Sequence, residues 1–121
     1  MESPHKGKTG LKRLVNAFGY SMDGLAAAYQ NEDAFRQEVF MTIVLVPLAL
    51  YLGESGLERA MMIASVVLVV IVELINSSIE ATVDRISLEN HTLAKRAKDI
   101  GSAAVLISLM NMVIVWGLLI F

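Results

Sequence analysis

The chain of 121 residues contains no cysteine, which excludes disulfides, thiolate metal sites and cysteine nucleophiles together. It has only two prolines and few clusters of glycine and serine, a composition unsuited to a disordered chain. Lysine and arginine total 10 against 12 aspartates and glutamates, a net charge of −2, so there is no global basic surface for nucleic acid. Charge of either sign is scarce. Charged residues make up 18% of the chain, against about 25% in a water-soluble domain, and apolar residues 55%. That balance argues against a free-standing soluble fold, and the length allows one domain at most, spanning 1–121.

What is present instead are long apolar runs. Residues 39–53 carry no charge, residues 60–83 carry only Glu73 and Glu80, and residues 100–121 carry none. A membrane-crossing helix needs about 20 mostly apolar residues to span a hydrocarbon layer about 30 Å thick. The third run meets this outright, and the second meets it if its carboxylates lie toward one end or face protein. The first reaches the length if residues 34–38 sit in the headgroup zone, with Pro47 a candidate kink that neighbouring helices can compensate. These runs predict three spans, about 34–53, 57–84 and 93–120. A cleaved signal peptide does not fit the first run, because a charged amphipathic stretch of more than 30 residues precedes it and no small-residue cleavage pattern follows. Alternating β-barrel strands do not fit continuously apolar runs.

Orientation follows from the basic residues that flank the spans. Lys6, Lys8, Lys12, Arg13 and Arg36 precede the first, and Arg85, Lys95, Arg96 and Lys98 lie between the second and third. Arg59 alone lies on the other side, so the N-terminus and the 85–98 segment are expected in the cytoplasm and the C-terminus outside. Ahead of the spans, Leu11, Leu14, Val15, Phe18, Met22, Leu25 and Tyr29 recur at steps of three and four, predicting an amphipathic helix over about 9–30. Such a helix can lie in the membrane interface, pack on the bundle, or do both. Trp116 and Tyr51, near the outer span ends, fit an aromatic belt.

Three spans make a scaffold, and chemistry has to come from the polar groups set in them. On the second span Glu73, Asn76, Glu80 and Asp84 follow at steps of 3, 4 and 4, one stripe three turns long with Ser77 at its border. A carboxylate within a span costs at least about 2.5 kcal/mol, so such a residue is read first as functional. A purely structural stripe would need only Asn76 and Ser77 for hydrogen bonds between helices. Hard cations such as Mg²⁺ take oxygen ligands and arrive with phosphates. Glu80 and Asp84 near the aqueous end, joined by Glu32 at the same level, suit such an ion. Glu73 lies two turns deeper, about 10 Å along the axis, where it can accept a proton from a hydroxyl presented by the lipid phase. Lys98 and Arg13 can neutralise phosphate charge, and Asp99 ends the same basic segment. The pattern suits phosphoryl transfer from a soluble nucleotide to a membrane alcohol.

Gly7-Lys8-Thr9 imitates the end of a P-loop, but Glu2 stands where that motif needs a glycine. His5 and His91 are isolated and give no metal-ligand spacing.

The run Glu73-Leu-Ile-Asn76-Ser77-Ser78-Ile-Glu80-Ala-Thr-Val-Asp84-Arg85, followed by Ala97-Lys98-Asp99-Ile-Gly101-Ser102, closely resembles the signature of the small bacterial integral-membrane diacylglycerol kinases. Gly19-Tyr20-Ser21-x-x-Gly24-Leu25 and Asn31-Glu32-x-Ala34-Phe35-Arg36-Gln37-Glu38 extend the likeness from about Arg13 to the third span. Ser78 stands where that family commonly has alanine, and a small residue still fits there. The resemblance implies an all-α membrane protein, a surface helix plus three spans, assembled as a homotrimer in the bacterial inner membrane. It implies Mg²⁺-dependent transfer of the ATP γ-phosphate to diacylglycerol, a step in phospholipid synthesis. Glu73 would be the general base, held by Asn76, and Glu32 and Glu80 would bind the metal. Arg13, Tyr20, Glu32, Glu80, Glu89, Asn90, His91, Lys98 and Asp99 would contact ATP. Ala17, Ser21, Ala34, Phe35, Arg36, Gln37, Glu38, Glu73 and Ser102 would border the lipid, with Ser77 and Asp84 supporting the stripe.

Three rivals stand beside this reading, one of them a non-catalytic assembly subunit, for which Glu80→Gln would leave every activity unchanged. An undecaprenol kinase of the same fold would use the same residues for phosphoryl transfer, and the surface helix and residues 31–38 resemble the diacylglycerol branch more closely. A small proton-coupled exporter would need a fourth span and would have no use for a cytoplasmic cation cluster.

Overall fold

The computed structural model describes residues 10–86 and 91–121. It contains four helices, α1 (Gly10–Asn31), α2 (Asp33–Leu52), α3 (Gly56–Ile86) and α4 (Thr92–Ile120), and no strand among the described residues. Each expected element is present, with ends displaced by no more than about two residues, the usual play of helix termini. Helix α1 stands as one unit and Glu32–Phe121 as a second. Lys6, Lys8, His5 and the Gly7-Lys8-Thr9 stretch lie outside the described residues.

In α1 the last turn is closed by its own side chain, Asn31 Nδ2 donating to the Ala27 carbonyl at 2.8 Å. Glu32 then adopts extended backbone (φ −120°, ψ 111°), which separates α1 from α2. Helix α2 opens with Asp33, whose charge suits the positive end of the helix dipole and pairs with Arg36. Pro47 leaves the Ile43 carbonyl without its usual donor, yet α2 continues through it to Leu52. It ends at Gly53, which is glycine for want of space: a Cβ there would crowd the Arg59 stem and stand 3.0 Å from the Ala49 carbonyl oxygen.

Helix α3 starts with reciprocal caps. The Glu58 amide donates to Ser55 Oγ at 3.1 Å, and Glu58 Oε1 accepts from the Glu54 amide at 3.0 Å. With 31 residues it is about 46 Å long, more than the hydrocarbon layer needs, so one end must emerge from it. Helices α2, α3 and α4 are each long and apolar enough to cross a membrane.

Helix α3 is the centre of this unit, packed against α2 and against α4. Its buried face runs through Met62, Ser65, Val66, Val69, Glu73 and Asn76, at helical spacing. Helix α4 buries only Gly101 and Ser108, and presents Leu106, Ile107, Val113, Ile114 and Leu118 outward. Water would not tolerate so continuous an apolar surface, whereas acyl chains do. The chain is a multi-pass membrane protein.

Trp116 departs from the expected aromatic belt. It is half-buried, and its indole Nε1 donates to the Met62 carbonyl and to Ser65 Oγ, both at 3.1 Å. Ser65 in turn donates to the Met62 carbonyl at 2.7 Å. Away from water an indole N–H seeks a protein acceptor, and α3 offers one within reach. Trp116→Phe, which keeps the ring and removes the donor, is expected to destabilise the α3–α4 pair by about 1 kcal/mol. Thermal unfolding in detergent micelles checks this, and an unchanged midpoint would show that the bond adds nothing.

Candidate functional site

The stripe on α3 passes from the core of the bundle to its surface. Glu73 is 3% exposed and Asn76 7%, Glu80 is half-buried and Asp84 exposed. The stripe continues the apolar face of Val66 and Val69 one helical step at a time, so its inner carboxylate is turned toward protein rather than lipid. Each member is tied to a neighbour. Ser77 Oγ donates to Glu73 Oε2 at 3.2 Å, and Asn76 Nδ2 donates to Glu80 Oε2 at 3.4 Å, near the outer limit for such a bond. Lys98 of α4 reaches Asp84 Oδ1 at 2.6 Å, so the stripe ends in an ion pair between helices.

Helix α2 adds a carboxyl that spacing alone did not place here. Glu38, expected at the lipid border, is 8% exposed and lies within electrostatic reach of Glu73. Its Oε2 has no hydrogen-bond partner, and neither does the amide Oδ1 of Asn76. Glu32, half-buried at the start of α2, also reaches Glu73 through its charge. Glu38 and Glu32 of α2 therefore each lie within range of the Glu73 charge, with unfilled acceptor capacity at Glu38 Oε2. That is an arrangement for a hydroxyl donor or a cation rather than for stability.

The other expected site residues are distributed as follows. Phe35 is buried, Arg36 is half-buried and paired with Asp33, and Ala34, Gln37 and Ser102 are exposed. Lys98 and Asp99 do not converge. Lys98 faces α3, while Asp99 binds Lys95 of its own helix at 2.7 Å and lines a shallow surface hollow with Arg96 and Ile100. His91, a candidate nucleotide contact, caps α4, its Nδ1 accepting from the Leu93 amide at 3.0 Å. Arg13, Ala17, Tyr20 and Ser21 belong to α1, where Ser21 Oγ donates to the Ala17 carbonyl at 2.9 Å. Glu89 and Asn90 lie outside the described residues.

Among the described residues no three acidic or histidine side chains converge to enclose a metal ion. The donor set nonetheless fits Mg²⁺. That ion is commonly held by one or two carboxylates plus substrate phosphates and waters, not by an all-protein cage, and the half-buried carboxylates of Glu32 and Glu80 are hard donors of that kind.

Comparison with known proteins gives a consistent result. A family model described as Prokaryotic diacylglycerol kinase matches residues 19–120. A diacylglycerol kinase of Pseudomonas aeruginosa is 56% identical over 115 residues, covering 95% of this chain and 94% of its own length. One of Haemophilus influenzae is 50% identical over 113 residues, 93% and 96% of the two chains. One of Helicobacter pylori is 49% identical over 116 residues, 96% and 90% of the two.

The facing carboxyls of α2 and α3 make a separable stability prediction. Glu38→Gln keeps the shape and removes one of two like groups, so thermal stability in micelles should hold or rise. Glu38→Ala loses the packed side chain and should cost about 1 kcal/mol. Equal losses for both variants would mean that the carboxylate at 38 is itself stabilising.

Proposed function

The chain belongs to the prokaryotic diacylglycerol kinase family, and from that premise we propose that it transfers the γ-phosphate of ATP to the free hydroxyl of diacylglycerol, giving phosphatidic acid. The observation that carries the reading is the graded stripe: a carboxylate buried in the bundle, an amide beside it, and carboxylates and an ammonium toward the end of the same helix. The lipid hydroxyl would come from the bilayer side and the nucleotide from the water side, meeting along α3.

Glu73 Oε1, the oxygen that Ser77 leaves free, takes the hydroxyl proton as the lipid oxygen bonds to the γ-phosphorus. The bond from that phosphorus to the bridging oxygen of ADP breaks at the same centre, so ADP departs with the electron pair. Asn76, beside Glu73 and donating to Glu80, would align both, and Glu32 and Glu80 would hold Mg²⁺, which when bound would neutralise triphosphate charge. Lys98, stationed on Asp84, and Arg13 would neutralise phosphate charge from the protein side. Tyr20, Glu89, Asn90, His91 and Asp99 would complete the nucleotide contacts. Residues 34–38 with Ala17, Ser21 and Ser102 would border the lipid, Glu38 from within. The nine-to-one distribution of basic residues supports a cytoplasmic N-terminus and 85–98 segment and a C-terminus on the other side. Assembly as a homotrimer would cover part of the apolar surface that α4 leaves open.

The experiment is transfer of label from γ-labelled ATP to lipid by purified protein in mixed micelles, with diacylglycerol and undecaprenol competing. Preferential labelling of diacylglycerol is expected, and preference for the polyprenol would overturn the choice of acceptor. Glu73→Gln should lower kcat by about 10²–10⁴-fold, with the KM for ATP little changed. Glu80→Gln and Glu32→Gln should instead raise the concentrations of Mg²⁺ and ATP needed for half-maximal rate. Near-normal turnover by Glu73→Gln would remove the base from the scheme.

A further inference from the structure

Glycine in the middle of a long helix weakens it, so a buried one needs a reason. Gly101 lies well inside α4, and its surroundings supply that reason. A Cβ built there would collide with the amide Oδ1 of Asn76 and stand 3.3 Å from its Cγ, whereas one on Gly117 of the same helix would meet nothing. Asn76 is 7% exposed, and that same Oδ1 lacks a hydrogen-bond partner. Across the helix interface it lies against the bare backbone of Gly101, whose Cα–H groups are weak donors at best.

We propose that Gly101 is a positioning residue for phosphoryl transfer, its missing side chain fixing the Asn76 amide so that the amide holds Glu80. The inference rests on the kinase reading given above. The coupling follows from the planarity of the amide. Oδ1 and Nδ2 turn together about one bond, so whatever moves the oxygen off α4 also moves the nitrogen off Glu80 Oε2. That bond is already long at 3.4 Å, and a small rotation breaks it. A methyl group on residue 101 would meet the far end of a side chain, not backbone. The amide therefore rotates while the helices stay in place. Since alanine favours helix more than glycine, Gly101→Ala should leave folding intact and act on catalysis through Asn76 and Glu80.

The test is a double-mutant cycle on the full-length protein in mixed micelles, using Mg-ATP and diacylglycerol. Wild type, Gly101→Ala, Asn76→Ala and the double variant are compared in kcat, KM for Mg-ATP and thermal midpoint. Gly101→Ala should keep its midpoint and lose about tenfold in kcat/KM for Mg-ATP. The double variant should be no slower than Asn76→Ala alone, because the group that the methyl displaces is gone. A role in packing alone predicts the opposite, a lowered midpoint and equal further losses in both backgrounds. Unchanged kcat/KM in Gly101→Ala, or additive losses, would overturn the inference. Should Gly101→Ala fail to fold, recovery of folding in the double variant with the activity of Asn76→Ala supports it, and failure there too overturns it. If Asn76→Ala and Glu80→Gln phosphorylate lipid at the wild-type rate, it is the reading of the site that fails.

Discussion

A carboxylate drawn into a hydrocarbon layer has to turn toward protein, and the rest of this structure depends on how α3 meets that constraint. One face of a single helix carries Met62, Val66 and Val69 and then, without a change of direction, Glu73, Asn76 and Glu80. The apolar part of the face anchors the helix by burial, and that anchoring fixes the rotation at which the polar part is presented. Rotated by half a turn, the same sequence would put Glu73 among acyl chains. The site is therefore held by the core packing two turns away from it as much as by its own hydrogen bonds.

Helix α4 secures that rotation at two levels. At one, the Trp116 indole is fastened to the Met62 carbonyl and Ser65; at the other, Lys98 pairs with Asp84 and Gly101 closes on Asn76. Polar contacts between helices in a membrane are individually modest. Their value here is geometric, because two fastenings separated along one axis leave little freedom for rotation or sliding. Between them lie the groups to which the proposed chemistry assigns a proton, a cation and a phosphate. The unpartnered Oε2 of Glu38 marks a place where the protein stops satisfying itself. In a buried region that is a cost to the fold, and a bound substrate is the natural means of offsetting it.

Much of this was legible in the residues. Span number and span ends follow from the spacing of charges, because a buried charge is expensive in a hydrocarbon layer wherever it falls. The steps of 3, 4 and 4 from Glu73 to Asp84 identified a face, since helical periodicity acts within one element and needs no knowledge of its neighbours. The start of α3 was legible too, in the Ser55-x-x-Glu58 pattern of a capping box. The burial of Glu38 was not legible. Its place near the start of a span suggests headgroups, and only the packing of α2 on α3 turns it inward beside Glu73.

What is decided within one helix was legible in the residues: the four helices among the described residues, three of them long and apolar enough to cross a membrane, and which side of α3 is polar. Which residues of different helices meet was decided by the tertiary structure alone. Glu38 within range of the Glu73 charge, Lys98 on Asp84, Trp116 turned inward and Gly101 against Asn76 all depend on how far each helix is rotated and shifted against the next. That rotation is settled by the summed fit of many side chains, and no single spacing along the chain encodes it.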